Sequence, residues 1–125
     1  MNIPRLQAWY SEHNLDYTYS GLTMHSRPMN DCLHELKQRV ENACGSKFNA
    51  VLANLYRDGD DCVGWHSDDE PQLGKEPVIA SLSFGDTRNF QLKHKSNNEK
   101  LNINLTSGSL LIMAGTTQQY WSHCL

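Results

Sequence analysis

At Gly45 the apolar pattern of this chain changes period. Before it, Leu33, Leu36, Val40 and Ala43 fall at i, i+3, i+7 and i+10, one stripe of a helix over 31–44. Asn30 or Asp31 can cap its start and Gly45 can end it. After Gly45 the period is two. Over 50–57, Val51, Ala53 and Leu55 point one way, and Leu52, Asn54 and Tyr56 the other. Further extended runs follow at 62–68, 78–84, 87–93, 101–105 and 109–113, with turn signals at Asp58-Gly59-Asp60, Gly85-Asp86 and Ser107-Gly108. Gly85-Asp86 reads as a hairpin joining 78–84 to 87–93. Upstream, Tyr17-Thr18-Tyr19 favours a strand and Ser20-Gly21 a turn. One helix followed by five or six short strands is α+β. Short antiparallel strands in two packed sheets, a jelly-roll-like core, fit best.

The chain has 125 residues, which sets the expectation of a single domain over 1–125. Its apolar fraction of 38% and charged fraction of 20% are those of a soluble globular protein. No apolar run approaches the roughly 20 residues of a membrane span. Met1-Asn2-Ile3-Pro4-Arg5 lacks the apolar core of a signal peptide. A cytoplasmic monomer without membrane contact is the expectation. Cys32, Cys44, Cys62 and Cys124 form no C-x-x-C pair and read as free thiols. A net charge of −3 argues against indiscriminate nucleic-acid binding. The charge is uneven, however. Residues 58–70 carry six acids and no Lys or Arg, whereas 86–100 carry four basic residues against two acids. The pattern suits a cation site beside a phosphate-contacting surface, and equally two solvated loops of opposite sign.

Trp65-His66-Ser67-Asp68 is the most informative stretch. In an extended chain His66 and Asp68 face one side and present an imidazole and a carboxylate to one point. A second imidazole would complete a facial site with three coordination positions left open for cosubstrate and oxygen. His123 is the best candidate, because His13, His25, His34 and His94 lie in segments that read as surface helix or loop. H-x-D alone is common by chance. Asp58 and Asp60 start like a calcium loop, but Cys62 and Val63 stand where an oxygen ligand and a Gly are needed. H-E-x-x-H, G-x-S-x-G and a Gly-rich phosphate loop are absent.

Several motifs in register carry a more specific signal. Asn54-Leu55-Tyr56-Arg57-Asp58-Gly59, Trp65-His66-Ser67-Asp68-Asp69-Glu70 and Ala80-Ser81-Leu82-Ser83-Phe84-Gly85 match one family in order and spacing. Gly108-Ser109-Leu110-Leu111-Ile112-Met113 and Gln118…Trp121-Ser122-His123 continue the match. Upstream it extends through Pro4-Arg5-Leu6, Trp9-Tyr10 and Tyr17-Thr18-Tyr19-Ser20-Gly21. Together they resemble the AlkB family of Fe(II)- and 2-oxoglutarate-dependent dioxygenases, nearest to its branch that repairs alkylated DNA and RNA. The resemblance implies a double-stranded β-helix with an N-terminal helix and Fe(II) at His66, Asp68 and His123. It implies that Asn54 and Tyr56 help hold 2-oxoglutarate. It also implies that a damaged base is flipped into a pocket, with Tyr19 stacked on it opposite His66. Asp69 and Glu70 would accept from the base edge, and Tyr17 and Arg5 would lie near the nucleic-acid backbone. Lys93 and Lys95 are further phosphate candidates, although a solvated hairpin explains them as well.

Family members continue past the position of His123 into a final strand that carries arginines, one of them paired with the distal carboxylate of 2-oxoglutarate. This sequence stops at Leu125 and matches neither arginine. The expectation for these 125 residues is a β-helix without its final strand, an open sheet edge and poor affinity for 2-oxoglutarate. Three functions compete. The first is oxidative demethylation, in which O2 and 2-oxoglutarate become carbon dioxide and succinate while an N-methyl group is hydroxylated and leaves as formaldehyde. The second applies the same chemistry to a protein side chain or small molecule, against which an aromatic platform with an edge acceptor argues. The third is a weakly active or inactive nucleic-acid-binding relative.

Overall fold

A computed structural model describes residues 5–19 and 21–125, Tyr19 by its backbone alone. Ser20 of the expected turn lies outside the described residues. The backbone falls into two compact units, Met1–Asp61 and Cys62–Leu125.

In the first unit, β1 (Leu6–Ser11) is the middle strand of a three-stranded sheet. Its neighbours are β4 (Arg27–Pro28), parallel to it, and β5 (Ala50–Leu55), antiparallel from Leu6↔Leu55 to Ser11↔Ala50. β2 (Tyr17–Tyr19) and β3 (Leu22–Met24) form a hairpin, and Gly21 at φ 77° supplies the left-handed turn residue. The helix α1 runs over Asp31–Cys44, the span its caps foretell. Asn30 Oδ1 accepts the Leu33 N–H at 2.8 Å, and Gly45 closes the helix at φ 75°. The stripe is displaced from the expected one: Leu33, Leu36 and Val40 are half-buried, while Ala43 is exposed and Glu41 is buried. Glu41 is accommodated because it accepts the Phe48 N–H at 2.7 Å and pairs with Lys37 at 3.3 Å. β5 also departs from expectation. Leu52, Ala53, Asn54 and Leu55 are all exposed and Tyr56 lies past the strand end, so alternation does not sort its two faces by burial.

The second unit holds two sheets. One has the order β10 (Trp121–Cys124), β7 (Arg88–His94), β8 (Lys100–Leu105); the other pairs β6 (Ile79–Leu82) with β9 (Leu110–Met113). Phe90, Leu92, Leu105 and Met113 form the core between them, with Ile79, Ile103, Leu111, Trp121 and Leu125 packed around it. The hairpin expected at Gly85-Asp86 does not form. β6 pairs with β9 (Ile79↔Met113) and β7 with β8 and β10, so this turn carries the chain from one sheet to the other. Gly85 sits at φ 94°, and Ser83 exchanges backbone bonds with Ser109 and Gly108 at 3.0 and 2.6 Å. A Gly-Asp turn reverses the chain without choosing its partner; the partner follows from burying both inner faces against each other. The run 62–68 is an extended loop with one bridge rather than a strand. A short helix α2 (Thr117–Tyr120) leads into β10. Among the described residues, strands predominate, and no helix is long and apolar enough to cross a membrane.

Candidate metal centre

His66 and His123 face each other across a single antiparallel bridge, with His66 N–H to His123 O at 3.0 Å and His123 N–H to His66 O at 2.7 Å. Residues directly opposite share a face, so both imidazoles project together, their centroids 4.2 Å apart. His123 is also opposite Leu92 on β7, which puts it on the inner face of its sheet, and its ring stacks on Phe90 at 5.3 Å. The next reciprocal backbone pair is Val63 with Leu125, both bonds at 3.0 Å. Three steps on the 63–66 side therefore match two on the 123–125 side, which is a bulge. The bulge brings the Gly64 carbonyl to 2.7 Å from His66 Nδ1. That contact makes Nδ1 the protonated nitrogen and leaves the Nε2 lone pair free to ligate. The side chain of Trp65 stays 45% exposed, with Lys93 Nζ 5.7 Å from its ring centre.

Asp68 completes the group. Its Oδ1 lies 3.6 Å from His66 Nε2 and its Oδ2 3.5 Å from His123 Nε2. These contacts are long for hydrogen bonds. They suit ligands of one ion, since two donors each about 2.1 Å from a metal stand about 3–4 Å apart. The three donor atoms all fall within 4.8 Å of one another. His123 Nδ1 is buried and has no hydrogen-bond partner among the described residues. Burial raises the Asp68 carboxyl pKa, His66 opposes that rise, and Glu70 and Asp69 add to it. Burial, followed by repulsion from His66, pushes His123 down to about 4. The signs follow from linkage. The unfolded His123 takes up its proton near 6.5 and the folded one only near 4, so His123 costs stability as pH falls through that window. The raised Asp68 carboxyl acts oppositely, favouring the folded state as pH falls toward its ordinary value of 3.8. A divalent cation opposes the shift at Asp68 by favouring the carboxylate and reinforces the one at His123 by favouring the neutral ring. Mn(II) at about 100 times its dissociation constant is expected to stabilise the protein by about 2.7 kcal/mol at neutral pH. The gain should shrink toward pH 4 as protons compete for His123 and Asp68. Thermal melts with and without Mn(II) at both pH values check this, and an equal gain at both would count against these ligands.

The remaining expected site residues distribute as follows. Asp69 is exposed, and Glu70 is half-buried with its Oε2 buried and without a partner among the described residues. In the first unit, Asn54 is exposed and accepts from Arg5 Nε at 3.2 Å, and Tyr56 is half-buried. Arg5 and Tyr17, which the resemblance places near a nucleic-acid backbone, are each 7% exposed, and Tyr17 stacks on Trp9 at 4.7 Å. Tyr19 contributes to β2, and its side chain lies outside the described residues. Lys95 is committed to the Gln118 carbonyl at 3.1 Å. Two residues given no role from sequence contact the centre's backbone: Ser67 Oγ donates to the Trp121 carbonyl at 2.7 Å, and Gln118 Oε1 accepts the Asp68 N–H at 2.8 Å. No spacing rule marks them, because their partners lie 54 and 50 residues away.

Comparison with known sequences agrees with this chemistry. The pattern of the 2OG-Fe(II) oxygenase superfamily matches residues 1–125. The human alpha-ketoglutarate-dependent dioxygenase alkB homolog 3 is 49% identical, over 96% of this chain and 45% of its own length. The DNA oxidative demethylase ALKBH2 of Bos taurus is 40% identical, over 99% of this chain and 48% of its own. An uncharacterized protein of Acanthamoeba polyphaga mimivirus is 32% identical over 97% of this chain and 63% of its own. The chain spans about half the length of the cellular relatives it matches.

Proposed function

Because this chain belongs to the 2OG-Fe(II) oxygenase superfamily, we propose that residues 1–125 are one double-stranded β-helix domain whose protein oxidatively demethylates N-alkylated bases in DNA or RNA. The observation that carries the reading is the convergence of His66, Asp68 and His123 within 4.8 Å, with both Nε2 atoms turned to one carboxylate. Two neutral imidazoles and one carboxylate suit Fe(II), and a facial set leaves three positions open. When bound, iron with 2-oxoglutarate supplies the means of using O2 to hydroxylate a carbon–hydrogen bond. The protein's part is to hold and orient. Gly64 fixes the His66 tautomer, and Phe90, part of the core, backs the His123 ring. Asn54 and Tyr56 hold 2-oxoglutarate. Tyr19 stacks on the flipped base, and Asp69 and Glu70 accept from its edge. Glu70 Oε2, buried and without a hydrogen-bond partner among the described residues, supports this role, since a buried carboxylate oxygen calls for a donor. Names of the relatives, one a DNA oxidative demethylase, favour a nucleobase over a protein or small-molecule substrate.

The direct test supplies Fe(II), O2, 2-oxoglutarate and oligonucleotides carrying 1-methyladenine or 3-methylcytosine, and measures formaldehyde. Consumption of 2-oxoglutarate without formaldehyde from either base moves the reading to another substrate class; neither activity overturns it. Tyr19→Ala should weaken binding of the methylated oligonucleotide by about 1–3 kcal/mol, the range for base–aromatic stacking. It should leave substrate-free 2-oxoglutarate consumption largely intact. Equal loss of both would make Tyr19 a structural residue.

A further inference from the structure

Beyond the bridge of His66 and His123, a regular antiparallel ladder would next pair Asp68 with Trp121, the Asp68 N–H donating to the Trp121 carbonyl. Here that rung is replaced. The Trp121 carbonyl accepts from Ser67 Oγ at 2.7 Å, and the Asp68 N–H donates to Gln118 Oε1 at 2.8 Å. The N–H of Trp121 turns back to the Thr117 carbonyl. Two side chains thus stand in for one backbone rung, at the residue where the chain leaves the bridge and its carboxylate meets the imidazoles.

Gln118 is 3% exposed. Its Nε2 lies 3.6 Å from Met113 Sδ, a weak acceptor. An amide is costly to bury unless it makes strong bonds, and an apolar side chain of the same size would fill this place beside Met113 without that cost. Packing therefore does not account for a glutamine here, whereas its bond to Asp68 does. The short helix that carries it is itself tied down, since the Gln118 carbonyl accepts from Lys95 Nζ at 3.1 Å. Asp68 needs such an anchor. It opens a polar loop, Asp68-Asp69-Glu70, past the last backbone rung of the bridge.

We infer that Gln118, together with Ser67, is a positioning residue of the metal centre, holding the Asp68 backbone so that the carboxylate meets His66 and His123. The inference rests on the metal reading above and concerns the groups behind its ligands. Partners that orient metal ligands typically cost about 10–100-fold in metal affinity when removed.

The test uses cobalt(II) alone as the probe, followed by calorimetry and by its visible absorption, so that no turnover is needed. Gln118→Met keeps the volume and removes the acceptor; Ser67→Ala removes the donor and Ser67→Thr restores it. Gln118→Met and Ser67→Ala are expected to bind cobalt(II) about 10–100-fold more weakly with an altered spectrum, and Ser67→Thr to return to within about threefold of the parent. Folded variants that bind as tightly as the parent, with an unchanged spectrum, would overturn the inference while leaving the metal site standing. If Gln118→Met does not fold, the Ser67 pair decides. A parent chain that fails to bind cobalt(II), or binds it equally well as Asp68→Ala, removes the metal reading and this inference with it.

Discussion

Asp68→Ala is expected to reduce iron-dependent turnover to that of the metal-free protein while leaving the fold intact. Asp68 supplies the one anionic donor of the three, and its two oxygens face the two Nε2 atoms at 3.6 and 3.5 Å. Without it, two neutral imidazoles remain, and they supply no anionic donor to offset the charge of a divalent ion. The fold should tolerate the change. Asp68 lies on an extended loop with its side chain 24% exposed, and burial already disfavours its charged form in the absence of metal. Formaldehyde release and the metal-free melting temperature, measured side by side, check both halves. Turnover retained at a sizeable fraction of the parent's would mean that another oxygen ligates. Lost activity with a collapsed melt would mean that Asp68 is structural.

Phe90→Ala is expected to be the most damaging single change to stability, costing about 3–5 kcal/mol. Phe90 is 5% exposed at the centre of the core and directly opposite Ile103 on β8. For a domain of this size the melting temperature should fall on the order of 15 °C. Metal affinity should fall as well, because the Phe90 ring backs the His123 ring at 5.3 Å and an interplanar angle of 25°. A cavity there gives the imidazole freedom that the site cannot use. Leu101→Ala on the neighbouring strand is the control. Leu101 is 45% exposed, so the change should stay within about 0.5 kcal/mol. A loss below about 1 kcal/mol for Phe90→Ala would place the core elsewhere.

Much of the centre is legible because its determinants are local. His66 and Asp68 share a face in any extended chain, and their side-chain donor atoms do converge. The limits of α1 follow from an Asn that accepts the Leu33 N–H and a Gly that adopts φ 75°. Both are properties of a few adjacent residues. β1 was less legible, since Leu6-Gln7-Ala8-Trp9-Tyr10-Ser11 has no clean period of two and is made a strand by β5 beside it.

Distant pairing belongs to the tertiary structure. Gly85-Asp86 reads equally as a hairpin and as a crossing between sheets, and the crossing forms because it lets β6–β9 and β10–β7–β8 bury Met113, Phe90, Leu92 and Leu105 against one another. His123 was a candidate by elimination; its register opposite both His66 and Leu92 turns it inward. The bulge at 63–66 has no sequence signal of its own, and the motifs that contain Ser67 and Gln118 do not say which backbone groups those side chains bond. The bulge and these bonds arise where buried backbone groups must be bonded and the partner strand does not supply the bond, a demand that exists only once the chain has folded.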